Sequence, residues 1–392
     1  MTVMATAQTA MPAANADSRP APLIVHVTRQ FAPSRGGLED VIGNLCRQLL
    51  TRGYRVRVVT CNTVFAVPGV ILPAFEVIDG IEVVRIPWSG TTRYPFAPKV
   101  FQHLKDADLV HVHAIDFFFD ALAWGRPLHG RPMVATTHGG FFHTPKFAAI
   151  KKIWFRTLTR LSASAYRRLI CCSSSDFQLF SQIAGRRVVT IENGANTEKF
   201  AGRAALAPTR RIVSIGRFSV NKRLDRLLDA MQALVSRDDR WHLDIIGAPS
   251  DLSVEDLATL IAARGLSAHV AIHAAVSEPQ MAAVIAEASF FASASDYEGF
   301  GLVAVEAMSA GLLPVLHRND AYKALAGRHS DLVLADFADP NGVAAALIDA
   351  HAWISTAGAA LRNHLIDDAQ AYSWTRVAER YVAVYEEVMA GR

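Results

Sequence analysis

The feature that most constrains this fold is a repeated order: a short apolar run, a turn bearing glycine or serine, then a segment with helical spacing. The first run is Leu23-Ile24-Val25-His26-Val27-Thr28, and others follow at 55–60, 81–86, 108–113, 132–137, 169–173 and 188–192. Strands that are apolar on both faces belong to buried parallel sheets, because a strand with one face in water alternates. Parallel strands need crossovers, and the intervening helical segments provide them. Residues 22–200 therefore read as a doubly wound α/β domain. The small, polar stretch 201–210 reads as a linker. A second series then runs at 211–216, 242–247, 269–273, 289–294 and 313–316, giving a second α/β domain over 211–370. In the final segment, 371–392, Val377, Tyr381, Val384, Tyr385 and Val388 make an apolar stripe. It is expected to pack back across the junction between the domains.

Composition fits two such cores. The 392 residues are 51% hydrophobic and 19% charged, far from the composition of a disordered chain. Residues 1–21 are rich in Ala, Thr and Pro and lack the basic start and apolar centre of a secretion signal, so they read as a disordered leader. No apolar run approaches the ~18 residues that a spanning helix requires. Cys46, Cys61, Cys171 and Cys172 show neither metal nor disulfide spacing and read as buried thiols. The net charge of +4 hides an asymmetry. Residues 1–200 hold 23 Lys and Arg against 13 Asp and Glu, whereas residues 201–392 hold 17 against 23. Only the first half is expected to face an anionic partner. It carries no nucleic-acid motif beside that charge.

Ligands of parallel α/β sheets bind beyond the carboxyl ends of the strands. That rule places Gly36, Gly37, His138, Gly139, Gly140 and Ser173 on one rim. The Gly36-Gly37 pair follows the first strand and lets backbone approach a ligand, although the dinucleotide fingerprint and the phosphate loop are both absent. His138 stands between a strand and a permissive turn and is expected to contact substrate. His111 and His113 share a strand face but have no third ligand at metal spacing, so they read as packed or sugar-facing. Residues 141–168 contain Lys146, Lys151, Lys152, Arg156, Arg160, Arg167 and Arg168 and no carboxylate. Ile150, Trp154, Leu158 and Leu161 form an apolar stripe there, beside a basic one of Lys152, Arg156 and Arg160. A basic amphipathic helix of this kind suits an anionic membrane surface; the plainer alternative is a helix that covers the sheet.

In the second half, the stretch 294–311 (Ala-Ser-Asp-Tyr-Glu-Gly-Phe-Gly-Leu-Val-Ala-Val-Glu-Ala-Met-Ser-Ala-Gly) carries the chemistry. Gly299 and Gly301 permit a sharp turn out of a strand, a helix starts near Gly301, and Gly311 caps it. The first amides of that helix suit a phosphate or a sugar oxygen. Glu298 would stand at its mouth and Glu306 one to two turns inside, as acceptors for hydroxyl groups. Arg217 and Lys222, after the first strand of this half, would reach a diphosphate held at the same point.

Gly216-Arg217-Phe218 with Lys222, and the Glu298-x7-Glu306 unit within Glu-Gly-Phe-Gly-Leu-x-x-x-Glu-Ala-Met-Ser-Ala-Gly, resemble the retaining nucleotide-sugar glycosyltransferases of family four. The resemblance implies the GT-B fold, in which two Rossmann-like domains face each other across a cleft and the donor sits on the second. The stretches 27–37, 113–118 and 137–144 are most similar to the mannosyltransferases of acetan- and xanthan-type exopolysaccharide assembly. It thereby implies transfer of α-1,3-linked mannose from GDP-mannose to a cellobiosyl-diphosphopolyprenol lipid, by an enzyme held at the cytoplasmic face of the inner membrane. By the same resemblance, Arg217 and Lys222 bind the diphosphate and Glu306 the ribose. Glu298 with Phe300 and Gly301 holds the mannose, Gly299 belongs to the same donor site, His138 lies near the anomeric centre, and Ser173 lines the cleft. The family generally needs no metal, and no Asp-x-Asp motif is present, so no cofactor is expected. A UDP- or ADP-sugar transferase acting on another acceptor, or a sugar-nucleotide-binding protein, remains an alternative.

Overall fold

A computed structural model describes residues 20–67, 69–139 and 153–391. In the first domain the strands are β1 (Leu23–Val27), β2 (Arg55–Cys61), β3 (Phe75–Ile78), β4 (Ile81–Ile86), β5 (Ser89–Thr91), β6 (Tyr94–Phe96), β7 (Leu109–His113), β8 (Met133–Thr136), β9 (Arg168–Cys171) and β10 (Val188–Thr190). Eight of them form one sheet in the order β10-β9-β8-β7-β1-β2-β4-β3, while β5 and β6 make a separate hairpin. Every pairing in the large sheet is parallel except β3 with β4. The second domain has β11 (Arg211–Ile215), β12 (His242–Gly247), β13 (Val270–Ala274), β14 (Phe290–Ser293), β15 (Leu313–His317) and β16 (Val333–Ala335). These form an all-parallel sheet in the order β13-β12-β11-β14-β15-β16.

β3, β16 and the hairpin β5–β6 fall outside the runs visible in the sequence. Each is short, and β3 and the hairpin sit half in water, so the continuous apolar signal is missing. The central strands are buried on both faces, as β1 and β7 illustrate.

Three further differences concern connections. The stretch read as a linker lies along the second domain: Gly202 and Ala204 donate backbone hydrogen bonds to Ser309 and Ala310 at 2.9 and 2.8 Å, and Phe200 and Ala204 are part of that domain's core. The chain crosses between domains a few residues earlier and returns near 372, where Ala195 bridges Ser373 and donates to the Tyr372 carbonyl at 2.8 Å. The helix Trp374–Ala390 then lies on the first sheet, with Val377, Tyr381 and Tyr385 packed among Leu45, Leu49 and Val56. Finally, helix Pro340–Gln370 contains an 18-residue window of mean hydropathy 1.2, long and apolar enough by composition to cross a membrane. The sequence reading missed it because the apolar residues are interspersed. Gly358, at φ +56°, breaks this helix, and Val343, Leu347, Leu361 and Leu365 are buried in the second core.

Candidate active site

The donor side is built from the carboxyl ends of β11, β12 and β14. Gly216 and Gly247 allow those strands to approach closely, for a Cβ on Gly247 would lie 1.8 Å from the Gly216 carbonyl oxygen. The chain turns at Gly216 into Arg217, which is exposed, and Phe218, which is wholly buried and anchors the turn. A short helical turn, Val220–Lys222, brings Lys222 back over Gly216. Lys222 Nζ donates to Glu298 Oε1 at 2.7 Å, with both side chains about four-fifths covered. The Tyr322 hydroxyl lies 3.3 Å from the same carboxylate oxygen and 2.9 Å from Ser293 Oγ.

Glu298 is followed by Gly299, Phe300 and Gly301, and then by helix Leu302–Ala310. Gly301 has φ +84° and would place a Cβ 2.7 Å from the Tyr322 ring, so both backbone and space demand glycine there. Gly299 does not have a positive φ, and space beside it is open; the expected turn is made by Gly301. Among the described residues no side chain caps the helix start, which leaves its first amides for a ligand. Gly311, at φ +88°, ends the helix. Glu306 lies one turn in, where burial raises its carboxyl above the usual range, offset in part by Lys199 and by the Asn196 backbone amide.

Opposite stands the rim of the first sheet. Ser173 caps the helix Ser174–Ala184, accepting from the Asp176 amide at 3.2 Å. Asp176 accepts from Thr137 Oγ1 at 2.7 Å and from the Gly139 amide at 2.9 Å. It thereby fastens a turn in which His138 and Gly139 both take left-handed angles. Burial lowers the His138 pKa to about 3, so the ring is neutral near pH 7. Ser173, Ser174, Ser175 and Glu192 from the first domain face Tyr297, Glu298, Gly299, Phe300 and Arg328 from the second across one cavity of about 310 Å³. Glu192 and Arg328 pair across it through bonds of 2.6 and 3.1 Å. Gly36 and Gly37 open the helix Gly37–Thr51 at the same rim, but neither has a positive φ; their extended and helical angles are open to other residues, and only the lack of bulk beside Gly37 favours close approach.

Two corrections concern the basic segment and the histidines. Gly140, Lys146, Lys151 and Lys152 lie outside the described residues. Residues 153–163 are helical, but their buried side is Phe155, Thr159 and Ser162, while Ile153, Trp154 and Leu161 are exposed beside Arg156 and Arg160. Of the expected apolar stripe, Trp154 and Leu161 thus face outward and Leu158 is half-buried, with a π-helical stretch, Phe155–Thr159, between the two exposed positions. His111 and His113 do have a third histidine beside them. His26, on the adjacent strand, brings the candidate ligand nitrogens of the three within 4.8 Å of one another. Sequence spacing could not find it, because the register of β1 against β7 makes the neighbour. Both nitrogens of His111 and both of His113 are already hydrogen-bonded, so these rings are packed in a polar cluster and neither faces a ligand.

Sequence reasoning also missed Tyr322, Asp176, Glu192 and Arg328. None stands in a motif; each reaches the site by tertiary placement.

The comparisons with known proteins agree with this architecture. Residues 35–199 match the model of Glycosyltransferase Family 4, and residues 196–365 that of Glycosyl transferases group 1. The chain is 42% identical over 370 residues to a GDP-mannose:cellobiosyl-diphosphopolyprenol alpha-mannosyltransferase of Komagataeibacter xylinus, covering 93% of each chain. The chain belongs to glycosyltransferase family 4. This family-4 transferase is also 42% identical to the protein of the same name from Xanthomonas campestris, covering 93% of this chain and 97% of that one. It is 27% identical to a phosphatidyl-myo-inositol mannosyltransferase of Mycobacterium leprae, covering 90% and 93%. Among solved structures, Anabaena HepE in complex with UDP superposes with a TM-score of 0.70 at 18% identity, covering 93% of this chain and all of that one. Sucrose-phosphate synthase of Thermosynechococcus elongatus does so at 0.67 and 18%, covering 95% of this chain and all of that one. The fold is GT-B, with two Rossmann-like domains around a cleft, and the chain is a hexosyl-transferring enzyme.

Proposed function

We propose that this transferase moves α-mannose from GDP-mannose, with retention, to a cellobiosyl-diphosphopolyprenol lipid used in exopolysaccharide assembly. The observation that carries the reading is the 42% identity along 93% of the chain with a protein named for that activity. The paired Lys222 and Glu298 at an uncapped helix start give it a chemical basis.

In this reading the diphosphate lies against the first amides of helix Leu302–Ala310, with Arg217 and Lys222 as its cations. An ammonium has three donors, so Lys222 can hold Glu298 and a phosphate oxygen together. Glu298 accepts from mannose hydroxyls and Glu306 from the ribose. Neutral His138 contacts the sugar near C1. The bond from C1 to the phosphate oxygen breaks as the acceptor oxygen bonds to C1 from the same face, and the acceptor proton passes to that phosphate oxygen. Fixed cations stabilise the charge that develops on GDP, so the scheme calls on no metal. The exposed Ile153, Trp154 and Leu161 with Arg156 and Arg160 suit an anionic membrane surface, which would bring the cleft to a lipid acceptor at the cytoplasmic face.

The test is to incubate purified protein with cellobiosyl-diphosphopolyprenol and labelled GDP-mannose, UDP-glucose or UDP-glucuronate, separately. Label entering the lipid from GDP-mannose alone supports the reading. Transfer from a UDP-sugar would refute the donor while keeping the site.

A further inference from the structure

His138 is the front member of a row of imidazoles that runs back into the first domain. Its Nε2 lies 2.9 Å from His113 Nδ1, and His113 Nε2 lies 2.9 Å from His26 Nδ1. Among the described residues the row stops here: His26 Nε2 is buried and has no partner. His26 and His113 are wholly inaccessible. His111, its ring centroid 4.0 Å from that of His113, stands outside the row, bonded to Tyr385 and Thr136 at 2.7 Å each.

A neutral imidazole has one donor nitrogen and one acceptor nitrogen. The two links of the row therefore share one sense. If every ring carries its proton on Nε2, the row ends in a buried, unpaired N–H at His26. If every proton is on Nδ1, it ends in a buried lone pair. Unpaired buried N–H groups are the rarer defect in proteins, so the second sense is favoured. His26 then donates to His113, His113 donates to His138 Nε2, and the proton of His138 is left on Nδ1. Among the described residues this nitrogen has the Cys172 sulfur near it, at 3.9 Å, a weak partner that a sugar oxygen can replace. Because Nε2 is taken, any nitrogen contact from His138 to a ligand must use Nδ1.

We propose that His113 and His26 are positioning residues that hold His138 in one orientation and one tautomer, presenting an Nδ1–H donor to the sugar. The groups around the row are His111 from β7, Thr136 from β8, Cys172 after β9, Asp176 from helix Ser174–Ala184, and Tyr381 and Tyr385 from helix Trp374–Ala390. Among these, Asp176 is the carboxylate, and it is occupied by Thr137 and Gly139. Burial, with no paired charge, keeps the rings neutral. The use of the donor in transfer rests on the reading of His138 as a sugar contact. The tautomer itself does not.

The experiment is nitrogen-15 spectroscopy of imidazole-labelled full-length protein at pH 7, followed by kinetics. The unsubstituted protein should show His138 as a neutral Nδ1–H ring; a ring protonated on Nε2 overturns the proposal whether or not mannose is transferred. In His113→Leu, His138 loses the N–H donated to its Nε2, a bond that disfavours protonation of that nitrogen, so it should become a tautomer mixture and titrate nearer its ordinary pKa. kcat should fall roughly 10- to 100-fold, the scale of a misplaced catalytic contact. KM for GDP-mannose should hardly change, and the acid limb of the pH–rate profile should move up. His113→Asn, which keeps an amide donor near the Nδ1 position, should recover most of the rate. An unchanged His138 spectrum and acid limb in His113→Leu would also refute the proposal. Should that variant not fold, His113→Gln, whose amide reaches toward the Nε2 position and leaves His138 Nε2 without its donor, tests the row by the same spectrum, with a single retained Nδ1–H form counting against the proposal.

Discussion

At the scale of single residues, the donor site sets a charge pair against a strained turn, and the two respond differently to substitution. Lys222→Ala and Glu298→Ala each remove a group that holds ligand and break an ion pair whose side chains are about four-fifths covered. Transfer is expected to fall by on the order of 10²–10³, with a lowered thermal midpoint because the surviving partner is left unpaired; turnover at the original rate would remove both residues from the mechanism. Gly301→Ala is a different kind of change. It puts a Cβ 2.7 Å from the Tyr322 ring at φ +84°, so it should cost about 1–2 kcal/mol of stability as well as donor affinity. Denaturant titration alongside GDP binding separates the two losses. Glu298 was legible in the sequence because its motif is local. Tyr322 was not, because it lies 24 residues away and meets Glu298 only when β14 and β15 are paired.

The histidine cluster on β1 and β7, with His138 beyond β8, behaves as an element with its own pH dependence. His26 and His138 are lowered to about 3 by burial, and His111 and His113 well below the usual value by burial first and by the neighbouring imidazoles second. As pH falls below about 6.5, the unfolded chain binds protons at these rings while the folded one does not. Stability is therefore present above the ordinary histidine pKa and is lost on acidification toward the lowered values. The limiting slope is about 1.4 kcal/mol per histidine per pH unit. Urea unfolding between pH 7.5 and roughly 5 checks this, and a flat profile would contradict the buried, neutral rings. Helix 153–163 carries a separate expectation. With Arg156 and Arg160 changed to Gln, partition onto anionic vesicles should weaken by roughly 1 kcal/mol per charge, and the remaining binding should be less sensitive to salt. Unchanged binding would mean that another surface makes the contact. The basic character of this segment was plain from composition, whereas which of its apolar residues face outward was decided by the burial of Phe155 and Thr159 against the first domain.

For the whole molecule, the two crossings of the chain and the Glu192–Arg328 pair decide how the domains meet. Trp374 packs on Gly194, where a Cβ would fall 2.6 Å from the indole. Gly194→Ala should thus destabilise by about 1–3 kcal/mol through overpacking and shift the interdomain angle, which small-angle scattering can read. Doubly wound architecture and domain order followed from the sequence alone. Apolar runs separated by helical segments bury both faces in a parallel sheet covered by helices, and the Glu298-x7-Glu306 unit is a local strand–turn–helix whose residues lie within one reach of the chain. What only tertiary structure decided is the set of partners between elements: His26 beside His113, Asp176 beneath the His138 turn, Arg328 against Glu192, and the last helix on the first sheet. Sheet register and crossover packing set those distances, and side chains tens to hundreds of residues apart leave no spacing in the sequence by which they could be paired.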